Sequence, residues 1–216
     1  MDREQREALH AAILALLPVA AVWMVFAVDS FFALRLPRYG LVPHDMHRLY
    51  GICTLPFLHD GIDHLISNTP ALFLLVFGLF LFYEQKAWTI LLSHYLIGGF
   101  ITWCMGHRDS LHVGASGLVY ALAAFHFASG LIRRVPRQLA FSLLVAFLYG
   151  GFVWAFFPTL YKYTYISWEG HLSGLLTGIA LAFYYRRNGP PMPADPFLDE
   201  DDDEDEGTDE WRNSTG

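Results

Sequence analysis

Gly114-Ala115-Ser116-Gly117-Leu118-Val119-Tyr120 opens one apolar run in the middle of the chain, and Gly170-His171-Leu172-Ser173-Gly174 opens another near its end. A serine and a histidine at matching ends of two hydrophobic segments are costly in a bilayer unless they face a bundle interior or water. The pair therefore reads as a nucleophile and its general base set inside a membrane domain.

The composition sets the class. Of 216 residues, 54% are hydrophobic and 16% charged, a balance of membrane rather than soluble proteins. The net charge of -7 is concentrated: 11 of the 21 acidic side chains fall between residues 195 and 210, which leaves the remainder slightly basic. Six apolar stretches, at 9–28, 64–83, 87–105, 116–132, 138–157 and 169–185, approach the ~20 residues that cross a bilayer. The first is too long for a signal-peptide core and has no small-x-small site before Asp29, so it reads as a span. The expectation is an all-α polytopic membrane protein, a six-transmembrane-helix bundle over 1–189, followed by a disordered Pro-rich, acidic tail over 190–216. Basic residues near the span ends, clustered at Arg133/Arg134/Arg137 and Arg186/Arg187, place both termini inside. Cys53 and Cys104 then share the outer side, where a disulfide is conceivable and two small apolar fillers are the plainer reading.

Helix rise converts sequence distance into depth. Ser116 precedes Arg133 by about 25 Å, and His171 precedes Arg186 by about 22 Å, at ~1.5 Å per residue. With those arginines at the inner edge of a ~30 Å core, both polar groups start roughly 5–7 Å beneath the outer edge. His64 opens the second span at that edge and Asn68 lies one turn deeper, about 6 Å. Four polar groups from three spans converge on one plane. The polar loop Gly106–Gly114 must dip below the surface to reach Ser116, and irregular backbone at that depth has to be buried in protein or line water.

Serine is a poor nucleophile until a base takes its proton, and His171 is the base at the right level. That leaves a dyad unless some third group orients the histidine. Ser116 starts a helix, so its own N–H is an unpaired first-turn amide suited to bound negative charge. The glycines flanking it let a substrate backbone approach. His64 and Asn68 share one helix face and read as donors to a developing oxyanion, or else as a polar cap on the second span. Tyr120, one turn after Ser116, can pack its ring on His171. Gly170, Gly174 and Gly178 form a double GxxxG run, which permits close helix approach in lipid and brings His171 toward Ser116. His94 and His126 fall deep in the third and fourth spans and read as packed polar residues. His44-x2-His47 has only loosely ligand-like spacing, so no metal site is expected.

Together, His59-x4-His64-x3-Asn68, Gly114-Ala115-Ser116-Gly117 with Tyr120, and Gly170-His171 with Gly174 and Gly178 resemble the rhomboid family of intramembrane serine proteases over about residues 44–187. The resemblance implies Ser116 as nucleophile and His171 as base. It places His64, Asn68 and Gly114 with the Ser116 N–H around the oxyanion, and makes His59 a hydrogen-bonding residue of the first loop. It implies a six-helix core with water entering from the outer face, and substrate gated by the fifth span and the loop at 158–168. The substrates implied are single-span transmembrane proteins, cut near their outer helix end in the cell membrane; no cofactor and no nucleic acid are expected. Two departures stand out: the first outer loop lacks the Trp-Arg pair common in the family, and Ser173 stands where glycine is frequent.

The alternative from another class is a non-catalytic rhomboid-like protein that binds membrane clients. Inactive relatives usually lack the serine or the histidine, and both are present here. A transporter would line a path through the midplane with charged groups, whereas the spans hold only His94 and His126 as ionisable residues near mid-depth.

Overall fold

The computed structural model describes residues 1–151 and 167–191. Among them the chain forms seven α-helices and no β-strand: α1 (Arg3–Phe32), α2 (Gly51–Thr54), α3 (Ile62–Tyr83), α4 (Ala87–Met105), α5 (Ser116–Arg133), α6 (Pro136–Tyr149) and α7 (Trp168–Tyr184). Five of the six apolar stretches coincide with long helices, the fifth stretch overlaps the 14-residue α6 as far as Tyr149, and α2 is a single turn between the first two. Helices α1, α3 and α4 are long and apolar enough to cross a membrane by length and composition. At 18 and 17 residues, α5 and α7 are shorter than the ~20 of an upright crossing. Ser116 and His171 stand in the first turns of these two shorter helices. The end of the fifth stretch (152–157), the loop from 158 to 166 and the acidic tail from 192 onward lie outside the described residues.

The helix ends follow local chemistry more than hydropathy. Helix α1 starts six residues before its apolar stretch because Asp2 and Gln5 form a capping box. The Asp2 carboxylate accepts from the Gln5 N–H at 2.8 Å, and the Gln5 side chain accepts from the Asp2 N–H at 3.1 Å. Between α1 and α3 the chain makes three 3-10 turns and the short α2. There Leu41 pairs antiparallel with His112, Leu41 N–H to His112 O at 3.0 Å and His112 N–H to Leu41 O at 2.8 Å. This bridge ties the first loop to the segment that delivers Ser116.

Helix α5 sits centrally, packed on α3, α4, α6 and α7. Leu75, Leu79, Ile90, Leu122 and Phe125 are fully buried around it. Lipid tails are as apolar as leucine, so such burial gives little hydrophobic gain in a membrane and close packing carries the association instead. The α5–α7 contact is backbone on backbone. A Cβ on Gly174 would stand 2.3 Å from the Gly117 carbonyl oxygen, and one on Gly178 would stand 2.2 Å from that of Ala121.

The end of the bundle opposite Ser116 is closed by polar groups. The buried Arg133 guanidinium donates to Gln138 Oε1 at 3.1 Å, to the Arg186 carbonyl at 2.6 Å and to the Pro190 carbonyl, while Gln138 donates to the Tyr83 hydroxyl at 2.7 Å. A cation there also meets the negative C-terminal end of α7. His94 and His126 are buried, each held by a main-chain carbonyl: His94 Nδ1 to Ile90 O at 2.7 Å, His126 Nε2 to Leu75 O at 2.8 Å. Cys53 and Cys104 are free thiols and both are exposed, so the reading as small apolar fillers is corrected: neither is packed inside the bundle.

Candidate active site

Ser116 is the first residue of α5 and His171 lies in the first turn of α7. The glycine contacts bring the two helices close enough for the side chains to meet, and Ser116 Oγ lies 3.1 Å from His171 Nε2. The Tyr120 ring stacks on the imidazole with centroids 4.1 Å apart and planes 10° from parallel. The stacked Tyr120 ring limits rotation of the imidazole. For the serine hydroxyl to donate to Nε2, the imidazole proton must sit on Nδ1. That nitrogen is buried and has no hydrogen-bond partner among the described residues.

The other sequence-selected residues gather around the start of α5. Gly114 adopts φ +107°, and a Cβ there would stand 2.6 Å from His64 Nε2, so the His64 ring covers the Gly114 backbone. His64 Nδ1 donates to Asp60 Oδ1 at 2.8 Å, which aims the opposite edge of the ring toward Gly114. Asn68 is buried, and its Nδ2 donates to His59 Nε2 at 3.3 Å; the Ala115 N–H donates to the same nitrogen at 3.5 Å. His59 thus stitches α3 to the entrance of α5. Burial, reinforced by the charge of nearby His64, pushes the His59 pKa down to about 4, so the ring stays neutral and accepting. No group of His, Cys, Asp and Glu among the described residues has the arrangement of a metal site. His44 instead bonds the Gly106 carbonyl at 3.1 Å.

The Rhomboid domain family model matches residues 46–188, which encloses every residue of this cluster. The chain belongs to the rhomboid family. Uncharacterised proteins of Mycobacterium tuberculosis and Mycobacterium leprae are similar to it, at 33% identity over 171 residues and 29% over 170. Each alignment covers 76% of this chain, with 71% of the first protein and 67% of the second. Human rhomboid-related protein 3 is 29% identical over 167 residues, 70% of this chain and 41% of that protein. Family membership and the apolar helices make the chain an integral membrane protein.

Two features of this rhomboid site escaped the sequence reading. The first is a small cavity of about 30 Å³ beside Ser116, bounded by Leu55 and Pro56 of the first loop, by Gly98 and Thr102 of α4, and by Gly170 and Ser173 of α7. Its α4 wall is bonded to α7: the Thr102 and Ser173 hydroxyls are hydrogen-bonded, and Ser173 also donates to the Gly170 carbonyl at 2.9 Å. Serine at 173 therefore adds an interhelical hydrogen bond where glycine would add none. The second is His112, which stands at 3% exposure and reaches across to Ser167, the N-cap of α7. In the sequence, His112 is one of five histidines on the outer side and nothing in its neighbourhood separates it from the rest.

Proposed function

We propose that this chain is an intramembrane serine endopeptidase acting through a Ser116–His171 dyad. The supporting observation is the 3.1 Å contact between Ser116 Oγ and His171 Nε2 in the first turns of two helices. In this reading His171 Nε2 takes the hydroxyl proton as Oγ attacks the scissile carbonyl, which gives a tetrahedral oxyanion. The Ser116 N–H, unpaired in the first turn of α5, donates to that oxygen, with Asn68 and His64 beside it. The histidinium then gives its proton to the leaving amine, and the C–N bond breaks. Water enters the acyl-enzyme by the same route in reverse: His171 takes its proton, and Ser116 leaves as the free hydroxyl. Substrates are single-span transmembrane proteins, cut near the helix end that lies level with Ser116.

The test is labelling of the membrane-reconstituted protein by a fluorophosphonate, together with cleavage of a single-span substrate in the same vesicles. Wild type should label and cleave. Ser116→Ala and His171→Ala should lose at least about a thousandfold in cleavage rate, with the bundle intact. Cleavage retained by purified Ser116→Ala sinks the dyad, and folded wild type that neither labels nor cleaves turns the reading toward client binding without catalysis.

A further inference from the structure

Ser110, His112 and Ser167 form a hydrogen-bonded line used by neither the dyad nor the oxyanion groups. Ser167 caps α7: its Oγ accepts from the Gly170 N–H at 3.3 Å, and its carbonyl accepts from the His171 N–H at 3.2 Å. The proton positions along the line follow from what each atom can do. Ser110 Oγ lies 2.6 Å from the His107 carbonyl oxygen, which only accepts, so the Ser110 hydroxyl proton points there. His112 Nε2, 2.8 Å from the same Oγ, must then be the donor. A neutral imidazole protonated on Nε2 has a bare Nδ1, and this nitrogen takes the proton of the Ser167 hydroxyl. Burial lowers the His112 pKa against the opposing charge of Glu169, which keeps this neutral form at neutral pH. The hydroxyl of Ser167 is thereby locked between two partners. It donates to His112 and accepts from the residue immediately before His171.

We propose that His112 is a positioning residue: through Ser167 it fixes the first turn of α7 and so sets where His171 presents Nε2 to Ser116. The proposal rests on the reading of Ser116 and His171 as the catalytic pair. The geometry explains why such a strap is needed. His171 lies above the Gly174 and Gly178 contacts that hold α7 to α5, in the one turn where the helix depends on its cap. His112 lies one short step before Ser116 on the loop that is bridged to Leu41. A single hydrogen bond between His112 and Ser167 therefore ties the two chain segments that supply the dyad, independently of the dyad contact itself. A displacement of ~1 Å between nucleophile and base costs about a hundredfold in rate.

The experiment uses the full chain in proteoliposomes and three variants. His112→Ala and Ser167→Ala remove the line, whereas His112→Asn keeps an acceptor oxygen near the Nδ1 position without an imidazole. Three quantities are read: deuterium exchange at the Gly170 and His171 amides, the rate of fluorophosphonate labelling at Ser116, and kcat and KM for a single-span substrate. Loss of the cap should speed exchange at those amides about tenfold in His112→Ala and Ser167→Ala. Labelling rate and kcat should fall by about ten- to a hundredfold with KM unchanged, and His112→Asn should restore most of each. Wild-type exchange at Gly170 and His171 in His112→Ala overturns the proposal. Equal impairment in His112→Ala and His112→Asn also overturns it, since ring volume rather than the acceptor would then be what counts. If wild type does not label, the protease reading fails, while the exchange data still decide whether the strap exists.

Discussion

The His59 imidazole is buried beside His64, and its pKa falls from 6.5 to about 4. An unfolded chain binds a proton at His59 below pH 6.5, whereas the folded chain refuses it down to about pH 4. Stability from this residue is therefore complete above pH 6.5 and declines as pH falls from there toward 4. The unfolding midpoint in detergent should be flat above neutrality and drop through that window. His112, lowered in the same direction, adds to the drop. His59→Gln should make the drop shallower; an unchanged slope would mean that His59 is not the buried acceptor described above. Asn68 poses a different question because its amide already donates to His59. Asn68→Ala should reduce kcat by about a hundredfold, less than loss of Ser116, since the Ser116 N–H remains as a donor. If the loss appears only in KM, Asn68 orders the first loop and does not meet the oxyanion. The Ser116–His171 contact and the Tyr120 stack were legible in the sequence because helix rise and helix face are regular, so the level and side of each residue follow from its number. The His112–Ser167 bond was not, because it joins two irregular segments whose paths no periodicity encodes.

At the scale of helices, the α5–α7 contact depends on the absence of side chains. A methyl at residue 178 would overlap the Ala121 carbonyl at 2.2 Å and crowd Ala124 Cβ at 2.7 Å. Both neighbours belong to a central helix that cannot retreat without loosening its other contacts. Gly178→Ala should therefore destabilise by about 1–3 kcal/mol, the usual cost of overpacking, and appear as a lower midpoint in detergent. Gly174→Ala meets the Gly117 carbonyl at 2.3 Å, one turn from His171. It should slow fluorophosphonate labelling more than Gly178→Ala at equal loss of stability, because the displaced turn carries His171, the proposed base. Equal labelling in the two variants at matched stability would show that position along α7 is immaterial. The double GxxxG run announces this contact in the sequence, and hydropathy locates α3, α4, α5 and α7 to within about two residues. The errors fall where ends are set by capping, as at Asp2 and Gln5, or where the chain turns through 3-10 segments with no apolar period.

For the molecule as a whole, polarity along the bundle axis decides on which side of the membrane the chemistry occurs. The end opposite Ser116 gathers Lys86, Arg133, Arg134, Arg137, Arg186 and Arg187, with the N-terminus of α1 joined to it by the Arg137–Glu4 ion pair at 2.7 Å. The Ser116 end carries Arg35, Arg38, Arg48 and Arg108. Positive residues near span ends are retained on the cytoplasmic side, so the dyad should open to the outer face and both helical termini should lie inside. Exposed loop positions at the two ends make this measurable. In a chain with Cys53 and Cys104 replaced by serine, Asp109→Cys lies beside the Ser116 end and Gln85→Cys in the turn between α3 and α4 at the other. A membrane-impermeant maleimide should modify Asp109→Cys in intact cells and reach Gln85→Cys only after permeabilisation. The reverse pattern would turn the site toward the cytoplasm. The substrate helix end within reach of Ser116 would then be the inner one, and any search for substrates would have to start from cytoplasmic juxtamembrane segments.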